Sequence, residues 1–199
     1  MLPPGVEGRL DELSAWIAHA GVAAGLTGYD TADAVRAQGI APATAIADRL
    51  GCSAFRVAEI GPGSGALGLA LALLRPDSRI VLVDSSARSA AFIDMTARRL
   101  RIANAVALRA RLPVNEPEEI GGPFDVVIVR AFAPAAVAVP TAAGLCREGG
   151  RVIWLHSADD VAAGGAIGTA TPTWSAPSGV AGMLITELVV CGASADVLI

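Results

Sequence analysis

The sequence predicts an α/β fold: a mostly parallel sheet with helices on both faces, preceded by N-terminal helices and closed by an antiparallel C-terminal hairpin. Three observations carry this. From residue 56 onward, short apolar runs alternate with helix-patterned stretches. The runs are continuously apolar, as in strands buried on both faces. A glycine-rich turn, Gly61-Pro62-Gly63-Ser64-Gly65, joins the first run to the first helix.

The elements follow in order. Leu10, Leu13, Trp16, Ile17 and Ala20 recur at helical spacing, with Arg9, Asp11 and Glu12 off that stripe. Gly21 and Gly25 loosen the chain. A second helix is expected over about 42–50, with Pro42 in its first turn and Gly51 just past its end. Strand Arg56-Val57-Ala58-Glu59-Ile60 enters the glycine turn, and a helix over 66–74 is stopped by Arg75-Pro76-Asp77. Strand 79–84, helix 86–101, strands 106–109 and 124–130, helix 135–146 and strand 150–155 continue the alternation. Thr171-Pro172-Thr173-Trp174 and 183–190 read as the terminal hairpin. With no repeat and no composition break, one domain is expected over 1–199. Its helical part is 1–52 and its Rossmann-like core 53–199.

Composition excludes several classes. Of 199 residues, 53% are hydrophobic and 17% charged, which excludes a disordered chain. Arg, Asp or Pro interrupts the strongest apolar stretches, so no membrane span is expected. Met1-Leu2-Pro3-Pro4-Gly5 lacks the basic and apolar regions of a secretion signal, so a cytoplasmic protein is expected. Cys52, Cys146 and Cys191 show no metal-ligand spacing and read as small core fillers; no metal is expected. The net charge is −4, and all fifteen basic residues are Arg. A nucleic-acid surface would therefore have to be local.

The glycine turn carries the chemistry. Glycines let the backbone bend sharply and approach a ligand closely. Glu59, two residues before Gly61, can orient the ligand or the loop. Asp84 ends the next strand, placed to accept hydrogen bonds from ribose hydroxyls. Both lie at carboxyl ends of adjacent strands, where such sheets bind ligands. Gly63 to Gly68 also spells the dinucleotide fingerprint, and Gly61 to Ala66 its Ala-ended form, so NAD-type binding stays open. So does a tight turn with no ligand, with Asp84 as a helix cap. Three features favour S-adenosylmethionine and a Rossmann-like class I methyltransferase fold: the preceding acid, Pro62 within the turn and the antiparallel tail.

Glu59-Ile60-Gly61-Pro62-Gly63-Ser64-Gly65-Ala66-Leu67-Gly68, Asp84-Ser85 with Arg88 and Phe92, and Arg130-Ala131-Phe132-Ala133 occur in one order and spacing. Together they resemble the small-subunit (16S) ribosomal RNA guanine-N7 methyltransferases, the glucose-inhibited division protein B family, of which this would be a divergent member. Leu26-Thr27 matches a weaker N-terminal signature, and the resemblance covers about residues 10 to 190. It implies S-adenosylmethionine as cofactor and ribosomal RNA or the small ribosomal subunit as partner. Gly61 and Ala66 would line the methionine side, Asp84 would face the ribose, and Ala110 and Arg111 would border the adenine, with Glu59, Gly63, Gly65, Ser85 and Arg130 also binding the cofactor. Arg130 would stand at the methyl-transfer site. The sequence departs from the family at Glu59 for Asp, at 38–42 for a His-x-x-Asp-Ser segment, and at Arg88-Ser89 for Lys-Arg. It departs again at Arg111 for Glu and at His156 for Lys.

Methyl transfer to guanine N7 is a direct displacement on a lone pair, so no general base is required and alignment is the catalytic task. Arg130 could contact a guanine edge or a phosphate, or form an ordinary ion pair. His156 would replace a lysine only in part. Arg88, Arg98, Arg99, Arg101, Arg109 and Arg111 form the basic patch expected to track RNA, or else a solvated helix face. Trp16, Trp154 and Trp174 are too scattered for a stacking platform and read as core or rim. A methyltransferase with a small-molecule acceptor, or a degenerate homologue acting by binding, are the other readings.

Overall fold

The computed structural model describes residues 3–157, 169–180 and 182–191. Seven strands form one sheet: β1 (Arg56–Ile60), β2 (Arg79–Asp84), β3 (Ala105–Arg109), β4 (Phe124–Arg130), β5 (Cys146–Ser157), β6 (Ala170–Pro177) and β7 (Met183–Val190). Their order is β3-β2-β1-β4-β5-β7-β6. β1 to β5 are parallel; β7 pairs antiparallel with both β5 and β6. The sheet is the expected parallel one with an antiparallel end. The order reverses beside β1, so the loops after β1 and β4 open a crevice there.

Among the described residues, six α-helices flank the sheet: α1 (Val6–Trp16), α2 (Ala32–Val35), α3 (Ala41–Leu50), α4 (Ala66–Leu74), α5 (Ala87–Arg99) and α6 (Ala135–Ala143). Wider π turns extend α1 over Ile17–Gly21 and join α2 to α3 over Arg36–Ile40. Every residue of α4 is buried, which follows from its all-apolar sequence and its place between the sheet and the N-terminal helices. Leu10, Leu13, Ile17 and Ile46 share one apolar cluster with Leu69, Leu71, Leu82 and Ile128. A second cluster, with Ile60, Val127, Val139 and Trp154, fills the face under α6.

Several expectations shift. Helix α6 ends at Ala143, because β5 begins at Cys146, which pairs with Phe124 across an irregularity in the ladder. Two of the cysteines are not core fillers: Cys52 and Cys191 are exposed, while Cys146 is partly buried and packs against the second cluster. Burial pushes the Cys146 thiol up to about 12, so it is unreactive. Among the described residues no helix is long and apolar enough to cross a membrane. Nor do three or more His, Cys, Asp or Glu gather as a metal site there.

Candidate cofactor and acceptor site

The crevice is built from loops at the carboxyl edge of β1, β2 and β4. Gly61, Gly63 and Gly65 have φ of 68°, 58° and 75°, a left-handed conformation that side chains resist. A Cβ on Gly61 would stand 3.2 Å from the Phe132 ring, and one on Gly65 2.8 Å from Ile93 Cγ1. The turn is thus closely covered as well as sharply bent. Beside it opens a cleft of about 310 Å³, lined by Glu59, Gly61, Gly63, Ala66 and Arg130 and by Leu26, Thr27 and Tyr29. That volume is at the lower end for small-molecule sites.

Glu59 is 4% exposed, and its Oε2 has no hydrogen-bond partner. It ends one residue before the strand does, so its side chain turns under the loop toward α4. Burial raises its carboxyl from 4.5 to about 7, against the lowering influence of Arg130 and the Gly68 amide. Gly68 is small for this reason: a Cβ there would lie 2.4 Å from Oε2 and 2.7 Å from Leu82 Cδ2.

Arg130 ends β4 and donates from Nη1 to the Gln38 carbonyl at 2.7 Å. Among the described residues it forms no close ion pair; it stands in the field of Glu59. The next residue, Ala131, has φ of 48°, a backbone state that costs a non-glycine residue on the order of 1 kcal/mol and is typical of functional loops. This bend brings Phe132 over the glycine turn. Arg130 and Ala131 also line a second cavity of about 290 Å³, which runs toward Pro134, Trp154, His156 and Met183.

Asp84 lies next to the cleft but does not line it. Its Oδ1 accepts from the Ser86 amide at 2.8 Å, and its Oδ2 from the Ser89 hydroxyl at 2.7 Å and the Gly63 amide at 3.3 Å. The helix cap itself is Ser86, whose Oγ accepts from the Ser89 amide. Asp84 therefore fastens the glycine turn to the start of α5. Ser85 and Arg111 are exposed beside it, and the Ala110 amide donates to the Asp84 carbonyl.

The basic residues divide. Arg88, in the first turn of α5, and Arg109, at the end of β3, lie at the carboxyl edge of the sheet; Arg109 Nε is 3.5 Å from the Ser85 carbonyl. Arg98 and Arg99, expected on the substrate side, are not there. They occupy the last turn of α5, whose thirteen residues carry them roughly 20 Å toward the opposite edge. Arg98 pairs with Asp94 at 3.0 Å, and the Arg99 guanidinium sits 4.3 Å from the Trp16 ring centroid. His156 is 4% exposed and is no substitute for a free cation. Its Nδ1 meets the Ser157 carbonyl at 2.8 Å and its Nε2 the Thr186 hydroxyl at 2.8 Å. A carbonyl only accepts, so Nδ1 carries a proton, and neither nitrogen is left for a ligand.

The N-terminal contribution escaped the sequence reading. Leu26, Thr27, Gly28 and Tyr29 form one side of the cleft, of which only the Leu26-Thr27 signature gave a hint. Gly39 lies so near α4 that a Cβ would stand 2.8 Å from the Ala66 Cβ. The departure at 38–42 is therefore packed on the cleft and supplies the carbonyl that holds Arg130.

Residues 7–163 match the family described as rRNA small subunit methyltransferase G (GidB). A ribosomal RNA small subunit methyltransferase G from Alkalilimnicola ehrlichii is 40% identical over 95 residues, covering 48% of this chain and 42% of that one. Its namesake from Mycobacterium sp. (strain KMS) is 32% identical over 143 residues, covering 72% and 63%. The matches thus span less than two thirds of these relatives' lengths. Among solved structures, cofactor-bound Rv0187 from MTB superposes with a TM-score of 0.68 at 23% identity, over 96% of this chain and 98% of that one. Magnesium protoporphyrin IX methyltransferase from Synechocystis PCC 6803 superposes at 0.63 and 13% identity, over 91% and 99%. These similarities establish the class I methyltransferase fold.

Proposed function

Because the chain belongs to the rRNA small subunit methyltransferase G (GidB) family, we propose that it is a cytoplasmic S-adenosylmethionine-dependent methyltransferase, and that its acceptor is a guanine N7 of small-subunit ribosomal RNA. The observation that carries the cofactor reading is Glu59: a buried carboxyl among the residues that line the glycine-rich cleft. A carboxylate beside the cleft suits a cationic ligand, and a dinucleotide's pyrophosphate would be repelled by it. The cleft is open, which also disfavours a degenerate homologue with a blocked site.

S-adenosylmethionine would supply an activated methyl whose transfer to a ring nitrogen needs no general base. The chain's residues then have positioning roles. Glu59 faces the cationic end, and Gly61, Gly63, Gly65 and Ala66 admit it closely. Asp84 and Ser85 border the ribose, and Ala110 and Arg111 the adenine. Arg130, held by the Gln38 carbonyl, aligns the acceptor. Arg88, at the start of α5, would contact the RNA. Residues 1–199 act as one methyltransferase domain.

Calorimetry with S-adenosylhomocysteine, joined to transfer of labelled methyl into small-subunit particles lacking the modification, tests this reading. Saturable binding is expected, with label entering RNA, and Arg130→Ala should reduce transfer more than RNA binding. Saturable NAD binding with none of S-adenosylhomocysteine overturns the cofactor. Cofactor binding without transfer to any RNA or particle overturns the acceptor.

A further inference from the structure

Ser89 stands where the family resemblance would place an arginine. It lies in the first turn of α5, 1% exposed, and its own amide donates to the capping Ser86 hydroxyl at 3.3 Å. Its hydroxyl is 2.6 Å from the Gly63 carbonyl and 2.7 Å from Asp84 Oδ2. The Gly63 amide reaches the same Oδ2 at 3.3 Å. Turn, acid and helix thus close one small ring of hydrogen bonds, in which both polar backbone groups of Gly63 are held. A hydroxyl carries one proton, so Ser89 bridges two acceptors and saturates neither.

We infer that Ser89 is a positioning residue for cofactor binding: it fixes Asp84 against the glycine turn so that the carboxylate meets the ribose hydroxyls. This rests on the methyltransferase reading above and assigns a role to a residue outside the cleft. A carboxylate offers about four acceptor positions, and the Ser86 amide, the Gly63 amide and the Ser89 hydroxyl engage three of them. Asp84 is partly exposed, so its remaining capacity is open to a ligand, whereas the Ser89 hydroxyl is buried. When a ribose hydroxyl donates to Asp84, the Ser89 proton turns wholly to the Gly63 carbonyl, and the turn stays tied to α5. One buried hydroxyl therefore sets the ribose end of the site and the glycine turn relative to each other. Alanine at this position would leave Asp84 held by two amides alone, free to take other rotamers, and would strip the Gly63 carbonyl of its donor.

Calorimetry of wild type and Ser89→Ala with two ligands tests this role: S-adenosylhomocysteine, and the same compound with a 2′,3′-dideoxyribose. Ser89→Ala should bind S-adenosylhomocysteine about tenfold more weakly, the loss expected for one hydrogen bond to a charged group. Its loss on the dideoxy compound should be smaller, because that ligand gives Asp84 nothing to accept. A hydroxyl that only stiffened the turn would weaken both equally, so equal losses, or no loss on either, overturn the proposal. Ser89→Cys, a weaker donor of similar size, should fall between wild type and Ser89→Ala on the first ligand. In the Asp84→Ala background, Ser89→Ala should cost less than it does alone, as expected of residues in one network; losses that simply add also overturn the role, while the cofactor reading stands. If neither compound binds wild type, the cofactor reading falls and takes the positioning role with it.

Discussion

Replacing Glu59 by glutamine removes a titrating group from the floor of the cleft, and the consequence can be worked through. Burial moves the carboxyl from 4.5 to about 7. At about 1.4 kcal/mol per pH unit, holding it ionised in the fold costs about 3 kcal/mol. The sign follows from proton binding. Between pH 4.5 and about 7 the native state keeps a proton that the unfolded chain has released, so stability falls as pH rises through that window. Above about pH 7 the whole cost is present. Glu59→Gln has a similar shape and no titration, so its stability should be flat where the wild type declines. Urea unfolding at about pH 5 and about pH 8 should show similar stabilities at the first. At the second the variant should lead by up to about 3 kcal/mol, less any lost attraction to Arg130. The variant should also bind S-adenosylhomocysteine more weakly. Parallel stability curves for the two proteins across this range would refute the buried-carboxyl argument.

Two further substitutions probe the surrounding contacts. Asp84→Ala removes the acceptor shared by the Gly63 and Ser86 amides and the Ser89 hydroxyl; S-adenosylhomocysteine affinity measured by calorimetry should fall about tenfold or more, and an unchanged affinity with the fold intact would reduce Asp84 to a fastener of the loop. Gly68→Ala would drive a methyl to 2.4 Å from Glu59 Oε2, so it should destabilise by about 1–3 kcal/mol despite the better helix former. Combining it with the shorter Glu59→Asp should recover part of the loss in a double-mutant unfolding cycle.

The strands were legible because each is a bounded apolar run, and β1, β2 and β4 fall on the residues the pattern predicts. The glycine turn and Glu59 were legible for the same reason: local chemistry at a strand end. Residues whose position depends on element polarity were harder. Arg98 and Arg99 share a helix with Arg88, and one-dimensional proximity suggested one patch. A helix that leaves the carboxyl edge of a parallel sheet must end at the far edge, and that rule alone would have separated them. The contributions of Leu26 to Tyr29 and of Gln38 could not be read in this way. They arise where N-terminal helices fold back across α4, and wide π turns give no periodic signal of their own. The hydrogen bond that engages His156 was not legible, because its partner, Thr186, lies thirty residues on and across an antiparallel pair.

The contact between Gly39 and Ala66 changes how substitutions near the glycine motif should be understood. Ala66 belongs to the signature by which such turns are recognised, yet Gly39 of the second π turn lies so close to its methyl that it has no room for a side chain. The smallness of both positions is a joint steric requirement of two distant stretches of sequence. A drifting lineage cannot enlarge one without lifting the π turn, and with it the Gln38 carbonyl that steadies Arg130. The front of the chain and the glycine motif are therefore sterically coupled, and a graft of this core onto another N-terminal segment would have to carry that glycine along.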